Sequence, residues 1–193
     1  MNMIATDIYP NETLDAAKRS GLPPEIVSNL IDMARDAWPR HPRYHGKAEF
    51  FLNIHQSLLD QTRQIKSLLE HLMDRPAIEA ASSPQLVDIQ ALGNHVLSFA
   101  HSHHSIESQH YFPAIKRFAP QLVDAIDLMD LDHEAVDKTL NRFDSYLRLL
   151  ASTAIDHRLL NSILLECGTM ENLLKRHFHD EEEVIIPVFL IAG

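Results

Sequence analysis

Two segments with the same pattern decide the fold: residues 103–113, HHSIESQHYFP, and residues 177–187, HFHDEEEVIIP. They align without a gap, and each carries a histidine, a glutamate four residues later and a proline six residues after the glutamate. Residues four apart lie on the same face of an α-helix. Each segment is therefore predicted to present one histidine and one carboxylate to the same side of a helix.

A single histidine precedes each segment at a similar distance. His55 lies 48 residues before His103, and His133 lies 44 residues before His177. One histidine on an apolar helix face is usually a core residue with a satisfied hydrogen bond. A core that buries four imidazoles must give them partners, because unpaired buried polar groups are costly. The chain is thus an internal repeat of a helix with His, followed by a helix with His-x-x-x-Glu and Pro.

Four long helical patterns contain these residues. They are predicted at about residues 47–73, 84–112, 122–150 and 157–187. Pro113 and Pro187 are predicted to end the second and fourth helices. The third helix has the most regular inward stripe, with steps of three and four residues: Leu122, Ile126, Met129, His133, Val136, Leu140, Phe143, Leu147 and Leu150. Short connections predict an all-α, up-down-up-down four-helix bundle.

The other inward stripes carry the remaining polar residues. The second helix is predicted to turn these residues inward: Leu92, Val96, Phe99, His103 and Ile106. The fourth is predicted to turn these inward: Leu160, Ile163, Cys167, Met170, Leu174, His177 and Glu181. In an antiparallel bundle the four histidines fall near the same end, roughly 12–21 Å from it at ~1.5 Å rise per residue. One layer can therefore hold four imidazoles and two carboxylates.

The N-terminal region is predicted to be a separate extension. Residues 1–45 form this helical extension, with a turn over NETLDAAKRS and a helix over PPEIVSNLIDMARDAW, and residues 46–193 form the bundle. The N-terminus lacks a basic region followed by an apolar run, so no signal peptide is expected. No apolar run is long enough to span a membrane. A cytoplasmic protein is the resulting expectation.

Composition narrows the function classes. The 193 residues suffice for one domain with its own core, and only 5 are glycine. The net charge of -10 argues against nucleic acid as a partner, because phosphate binding needs a basic face. Cys167 is the single cysteine, which excludes an internal disulfide and a cysteine-based cluster. The 13 histidines are the unusual feature.

The predicted layer has the donors of a metal centre. Its candidate ligands are His55, His103, Glu107, His133, His177 and Glu181. Imidazole suits iron, zinc, copper and nickel, and a carboxylate supplies hard oxygen that can bridge two ions. A structural zinc site would need only four ligands and would favour cysteine. Two iron ions with open coordination positions are the predicted occupants, and the donors are also compatible with manganese or zinc.

The ordered pattern His55, His103-x-x-x-Glu107-x5-Pro113, His133, His177-x-x-x-Glu181-x5-Pro187 resembles the hemerythrin-like, HHE cation-binding family. The resemblance covers about residues 47–190. It implies a four-helix bundle with a non-haem di-iron centre, in which Glu107 and Glu181 bridge the irons.

Two departures separate this chain from the oxygen carriers of that family. The carriers have a further histidine four residues after the third-helix histidine, where this chain has Asp137. Their last acidic ligand lies five residues after its histidine, and here the spacing is four. The pattern is therefore more similar to six-ligand members, which include proteins of nitric oxide stress, repair of iron centres, and iron or oxygen sensing. The repair proteins usually carry N-terminal cysteines, and residues 1–45 contain none.

The resemblance implies a protein that binds O2 or NO at an open position between two irons, in sensing or stress response. The alternatives are a redox enzyme acting on NO or peroxide with a separate reductase, an iron donor for repair of iron–sulfur centres, and a non-catalytic iron sensor. Whether the chain is an enzyme, and its oligomeric state, stay open. An apolar ring is expected to shelter the bound ligand: Leu58, Phe99, Met129, Val136, Met170 and Leu174.

The remaining polar residues are predicted to lie beside the ligands, along an access route or at the surface. His104 is predicted to point about a quarter-turn away from the ligands, beside them or at the surface. His110 is a candidate spare ligand or access residue, and Asp137 is a candidate for orienting a ligand or binding water. The run DEEE at 180–183 is predicted to be mostly solvated, with Glu182 and Glu183 as fallback ligands. The residues expected to face solvent or pack are His101, His179, Tyr111, Tyr146, Cys167 and Met170.

Overall fold

The computed structural model describes residues 15–152 and 154–192. This part of the chain contains seven α-helices, α1 to α7: Pro24–Val27, Glu49–Met73, Ala77–Ala81, Gln85–Ile106, Phe112–Phe118, Val123–Ser152 and His157–Ala192. Shorter 3-10 turns lie at Arg35–Arg40 and Pro120–Leu122, and π turns at Tyr44–Ala48 and Glu107–Tyr111. No strand occurs in these described residues, and the predicted all-α class is confirmed.

The long helices α2, α4, α6 and α7 correspond to the four predicted patterns. Every residue of the predicted α6 stripe is buried, from Leu122 to Leu150, and so is every residue of the predicted α7 stripe. The regular steps of three and four residues explain why periodicity located these two faces correctly.

The inward face of α4 differs from the prediction. Ile106 is exposed, and Leu92 and Phe99 are only half-buried. Val96 and His103 are buried as predicted, and the other buried positions of the helix are Ile89, Gly93, Leu97, Ala100 and His104. A Cβ atom at Gly93 would lie 2.5 Å from a methyl carbon of Leu147, so close packing on α6 requires glycine there. The inward face of α4 includes small residues. The prediction assumed that the large apolar residues face inward, and it therefore placed the wrong face of α4 toward the core.

Neither proline ends its helix, contrary to the prediction. Pro113 lies in the first turn of α5, directly after the π turn Glu107–Tyr111. A proline removes one backbone hydrogen bond and crowds the carbonyl four residues earlier, and a π turn shifts that bonding by one residue. Pro187 lies inside α7, at a cost of about 3 kcal/mol. Burial of the surrounding apolar residues offsets that cost: Val184, Ile185, Ile186, Val188, Phe189 and Leu190.

The N-terminal region is less helical than predicted. Only Pro24–Val27 of the expected 23–38 helix is α-helical, and residues 15–20 form turns, while residues 1–14 lie outside the described part. The side chains of Ser28 and Asn29 both donate to the carbonyl oxygen of Glu25. Such local bonds compete with helix continuation, which explains why α1 ends after one turn.

The described residues form two compact units. The first contains residues 15–55, 104–135 and 175–192, and the second contains 56–103, 136–152 and 154–174. The first unit holds the beginnings of α2 and α6 and the ends of α4 and α7, which is the set of helix ends that up-down-up-down order brings together.

Each unit has its own buried apolar residues. The core of the first includes Trp38, Phe51, Phe112, Ile126 and Phe189. Trp38 comes from the N-terminal region, and its indole nitrogen donates to the Met33 carbonyl oxygen at 3.2 Å. In the second unit Cys167 is fully buried, and burial raises the pKa of its thiol to about 12, so it is a core residue. Among the described helices, none has both the length and the apolar composition that a membrane span requires.

Candidate metal centre

Five histidines and two glutamates form two clusters. Within each cluster, one potential ligand atom of every residue lies within 4.8 Å of the others. The three-histidine cluster contains His104, His133 and His177, and the mixed cluster contains His55, His103, Glu107 and Glu181. All seven side chains are buried. The six residues predicted as ligands therefore all lie in these clusters, together with His104.

Helix geometry explains most of this arrangement. His177 and Glu181 are one turn apart on α7, and His177 Nε2 lies 3.7 Å from Glu181 Oε2. His133 continues the inward stripe of α6, and His55 follows half-buried Ile54 in the first turns of α2. The i, i+4 spacing and the apolar stripes therefore sufficed to find these residues.

His104 is the residue that sequence reasoning missed. Its ring stacks on His133 with centroids 4.2 Å apart and meets His177 edge-on at 5.5 Å. It faces inward because α4 turns Gly93, Ala100 and His104 toward the core rather than Phe99 and Ile106. The signal that could have found it is the line of small residues at positions 93 and 100, which continues to 104 at helical spacing.

The two carboxylates lie next to histidines of the other cluster. Glu181 Oε2 is 3.3 Å from His55 Nε2 and 3.7 Å from His177 Nε2. Glu107 Oε2 is 3.5 Å from His133 Nε2. Glu181 thus faces one histidine from each cluster, and Glu107 belongs to the mixed cluster while facing the three-histidine one. Carboxylates in such positions can bridge two cations.

Burial makes the centre electrostatically costly without a cation. Burial raises the pKa of Glu107 to about 7, and burial together with the nearby Glu107 raises the pKa of Glu181 to about 8. Within the described part of the chain, neither carboxylate oxygen of Glu181 has a hydrogen bond of proper geometry, and the same holds for Nε2 of His133 and of His177. Buried polar atoms ordinarily have partners. A converging set of such acceptor atoms fits metal cations.

Three of the histidines are oriented through their other ring nitrogen. His55 Nδ1 donates to Glu182 Oε1 at 3.0 Å, and His177 Nδ1 donates to Asp132 Oδ2 at 3.4 Å. His133 Nδ1 donates to the Ser108 hydroxyl at 3.2 Å. With the proton on Nδ1, each Nε2 lone pair points toward the glutamates. This is the arrangement by which proteins prepare histidines for metal binding.

Two arginines from the region before α2 hold those orienting carboxylates. Arg19 is buried and donates to both oxygens of Asp132 and, at 2.8 Å, to Asp180. Arg35 donates to Glu182 and, at 2.7 Å, to Glu183. Burial by itself would raise the pKa of Asp132, but the hydrogen bonds from Arg19 and His177 outweigh it and leave that pKa lowered.

The acidic run at 180–183 is therefore not solvated, contrary to the prediction. Asp180 and Glu181 are buried, while Glu182 and Glu183 are half-buried. Asp180 pairs with Arg19 and with Arg176 one turn before it, while Glu182 and Glu183 pair with the distant Arg35. Glu182 contacts Nδ1 of His55 rather than the ligand side of that ring.

The other candidate residues lie outside both clusters. His101, His110 and His179 are exposed. Asp137 is half-buried and its carboxylate lies 3.4 Å from His101 Nδ1. Tyr111 packs against the rings of Phe51 and Phe189 as an apolar contact. The suggested roles of His110 and Asp137 at the ligands therefore have no support in the geometry.

Comparison with known proteins gives one family. A model described as the hemerythrin HHE cation binding domain matches residues 47–189. The matched region begins just before α2 and contains all seven residues of the two clusters. No curated protein and no solved structure matches the chain.

Proposed function

This chain belongs to the hemerythrin HHE cation-binding family, and we propose that its two clusters hold two iron ions that bind O2 or NO in a sensing or stress-response role. The observation that carries the proposal is the position of Glu181, which faces a histidine of each cluster. When bound, such an ion pair supplies a redox couple with an open position for a diatomic ligand.

The proposed assignment follows the two clusters. One ion would be held by His104, His133 and His177 and the other by His55 and His103, and Glu107 and Glu181 would supply carboxylate oxygens to the pair. Seven nitrogen and oxygen donors exceed what a four-coordinate zinc site uses. The absence of thiolate donors in this set and the paired carboxylates are both suited to iron.

His104 changes the expected ligand count from six to seven. The oxygen-carrying relatives have their additional histidine at the position that Asp137 occupies here. We propose that His104 replaces it from a different helix, since its ring lies against both other histidines of its cluster. The donor complement would then be five histidines and two carboxylates, which favours O2 binding more than the six-residue pattern did.

Aromatic side chains define how the ligand rings are held. Phe178 stacks on His55 with centroids 4.0 Å apart and nearly parallel planes, and Phe112 stacks on His133 at 5.3 Å. These contacts fix the ring planes while Nδ1 is held by Glu182 or Ser108. Pre-oriented rings pay less entropy on metal binding, and the apolar neighbours keep water from the Nε2 atoms.

The test is metal content per chain after anaerobic loading with ferrous iron. The wild-type protein is expected to hold two iron atoms, and the His103→Ala/His177→Ala variant none. The His101→Ala/His179→Ala variant is the matched control, because each exposed histidine lies two residues from a proposed ligand. The His104→Ala variant is expected to retain one tightly bound iron. Iron-free wild-type protein, or equal loading of the ligand variant and its control, would reject the metal centre.

The diatomic ligand is tested on the loaded protein. A reversible absorption band that appears with O2 and disappears under argon supports O2 binding, and a stable nitrosyl spectrum supports NO. Catalytic turnover of NO or peroxide with an added reductant would favour the enzyme alternative. Loaded protein whose spectrum changes with none of these ligands would reject diatomic ligand binding and leave the metal centre intact.

A further inference from the structure

The N-terminal region supplies the arginines that support the proposed metal ligands. We propose that Arg19 and Arg35 are positioning residues, each acting on a different ion through a carboxylate and a histidine. The inference rests on the proposed function, because it assigns roles relative to the two ions. It makes the region before α2 a part of the metal centre rather than an appended segment.

The first connection runs from Arg19 to the three-histidine cluster. The Arg19 side chain is 2% exposed, and its guanidinium contacts both oxygens of Asp132, whose Oδ2 accepts from His177 Nδ1 at 3.4 Å. A second bond from Arg19 to Asp180 fixes the α7 residue directly before Glu181. Charge-assisted, two-point contacts of this kind hold a carboxylate in one orientation. Arg19 thereby determines where the lone pair of His177 Nε2 points.

The second connection runs from Arg35 to the mixed cluster. Arg35 donates to Glu182, whose Oε1 accepts from His55 Nδ1 at 3.0 Å. Its Nε donates to Glu183 at 2.7 Å, and its guanidinium carbon lies 4.6 Å from the centre of the Trp38 ring. Buried Trp38 thus anchors the arginine in the first unit.

The two connections end at different histidines, and each arginine also bonds a sequence neighbour of Glu181, which is Asp180 for Arg19 and Glu182 for Arg35. Arg19 reaches the cluster of His177, and Arg35 reaches the cluster of His55, so their loss is expected to affect different ions. Loss of an outer partner of a metal-bound histidine typically weakens metal affinity by about 10–100-fold. General destabilisation of the fold would instead accelerate the release of both ions together.

The test compares ferrous iron release to a chelator, under anaerobic conditions, for three single variants. Arg35→Gln is the principal variant because its side chain is 39% exposed, so the fold can tolerate the change. Arg63→Gln is the matched control, since Arg63 is 42% exposed and also contacts two carboxylates, Asp60 and Glu171. Arg19→Lys keeps a positive charge beside buried Asp132, which complete removal would leave without its arginine partner.

The expected result is two release phases in the wild-type protein, one for each ion. Arg35→Gln accelerates one phase by about 10–100-fold and Arg19→Lys accelerates the other, while Arg63→Gln changes neither. Mössbauer spectra of ⁵⁷Fe-loaded protein give a second readout, with a different quadrupole doublet altered in each of the two variants. If Arg19→Lys does not fold, Arg35→Gln and its control still decide the result.

Three outcomes overturn the inference in distinguishable ways. Wild-type protein that binds no iron rejects the proposed function and this inference together. Two bound irons with unchanged release in Arg35→Gln reject the positioning role alone. Equal acceleration of both phases in Arg35→Gln shows general destabilisation and also rejects it.

Discussion

The segments 103–113 and 177–187 share one pattern but differ in the backbone and in the residue after the glutamate. The first passes from α4 through a π turn that begins at Glu107, whereas the second is continuous α-helix through Pro187. Ser108 follows Glu107, and Glu182 follows Glu181. The repeat therefore determines which residues could bind metal, and the residues around it determine how firmly each is held.

In both segments the residue after the glutamate accepts a hydrogen bond from a histidine Nδ1, but one acceptor is a neutral hydroxyl and the other is a carboxylate. Ser108 accepts from His133 Nδ1 at 3.2 Å and donates to exposed Asp130 at 2.6 Å. Glu182 accepts from His55 Nδ1 at 3.0 Å and is held by Arg35. A charged acceptor makes the stronger bond. We therefore expect the His55 ring to be held more rigidly than the His133 ring.

The largest expected effect comes from removing one glutamate charge at a time. Glu181→Gln is expected to leave no more than one iron per chain, because Glu181 faces histidines of both clusters. Glu107→Gln is expected to weaken binding of the second iron by more than ~100-fold, the upper range for an outer partner. Elemental analysis and chelator competition measure the two effects.

Glu166→Gln provides the control for both glutamate variants. Glu166 also lies on α7 and forms an ion pair, with Arg142 at 3.0 Å, but belongs to neither metal cluster. It is expected to bind two irons as the wild-type protein does. If Glu181→Gln loads like this control, Glu181 does not bridge the ions.

The pH dependence of the metal-free protein tests the burial of both carboxyl groups. Their folded pKa values, about 7 for Glu107 and about 8 for Glu181, exceed the ordinary value of 4.5. Stability is therefore fully present below pH 4.5 and is lost as pH rises through 7 and 8. The melting temperature is expected to fall from pH 6.5 to about 8 and to level off above that, by roughly 3–5 °C per pH unit where the folded state holds one more proton than the unfolded state.

The upper pH window avoids an opposite contribution from His133. Burial lowers the pKa of His133 below 6.5, so its effect is a loss of stability as pH falls below that value. Glu181→Gln should remove the decrease between pH 7 and 8 and leave the one that ends near pH 7. A melting temperature that is constant from pH 6.5 to 8.5 would contradict the raised pKa values of both glutamates.

Spacing within one helix was enough to predict the candidate ligands whose position depends on that helix alone. His177 and Glu181 share a face of one helix, and His133 continues an apolar stripe, so spacing identified them without knowledge of tertiary contacts. The rotation of α4 was predicted wrongly because contact between Gly93 and Leu147 decides it, and these residues belong to different helices. His104 was assigned away from the ligands for the same reason.

No local sequence pattern predicts the contacts that Arg19 and Arg35 make with the carboxylates of α6 and α7. Arg19 pairs with Asp132 and Asp180, which are 113 and 161 residues away. A sequence pattern shows that 180–183 is acidic, and solvent is the ordinary environment of such a run. Only the folded chain brings the N-terminal region to α6 and α7. That contact covers the run at 180–183, which the sequence alone predicts to face solvent.

The smallest expected effect compares the two residues that follow the glutamates. Glu182→Gln keeps an oxygen acceptor for His55 Nδ1 but removes the charge that Arg35 holds, so iron affinity in the mixed cluster should fall by about 10-fold or more. Ser108→Ala removes a neutral acceptor from His133, and a neutral hydrogen bond contributes about 0.5–1.5 kcal/mol, or roughly 2–10-fold in affinity.

Chelator competition on both variants measures the difference, with Glu134→Gln, an exposed acid on α6, as the control. Equal losses would mean that the two halves of the repeat support their histidines equally, despite the different residues that do so. A larger loss for Ser108→Ala would place the more sensitive ion in the three-histidine cluster, where Asp130 then acts through the serine hydroxyl.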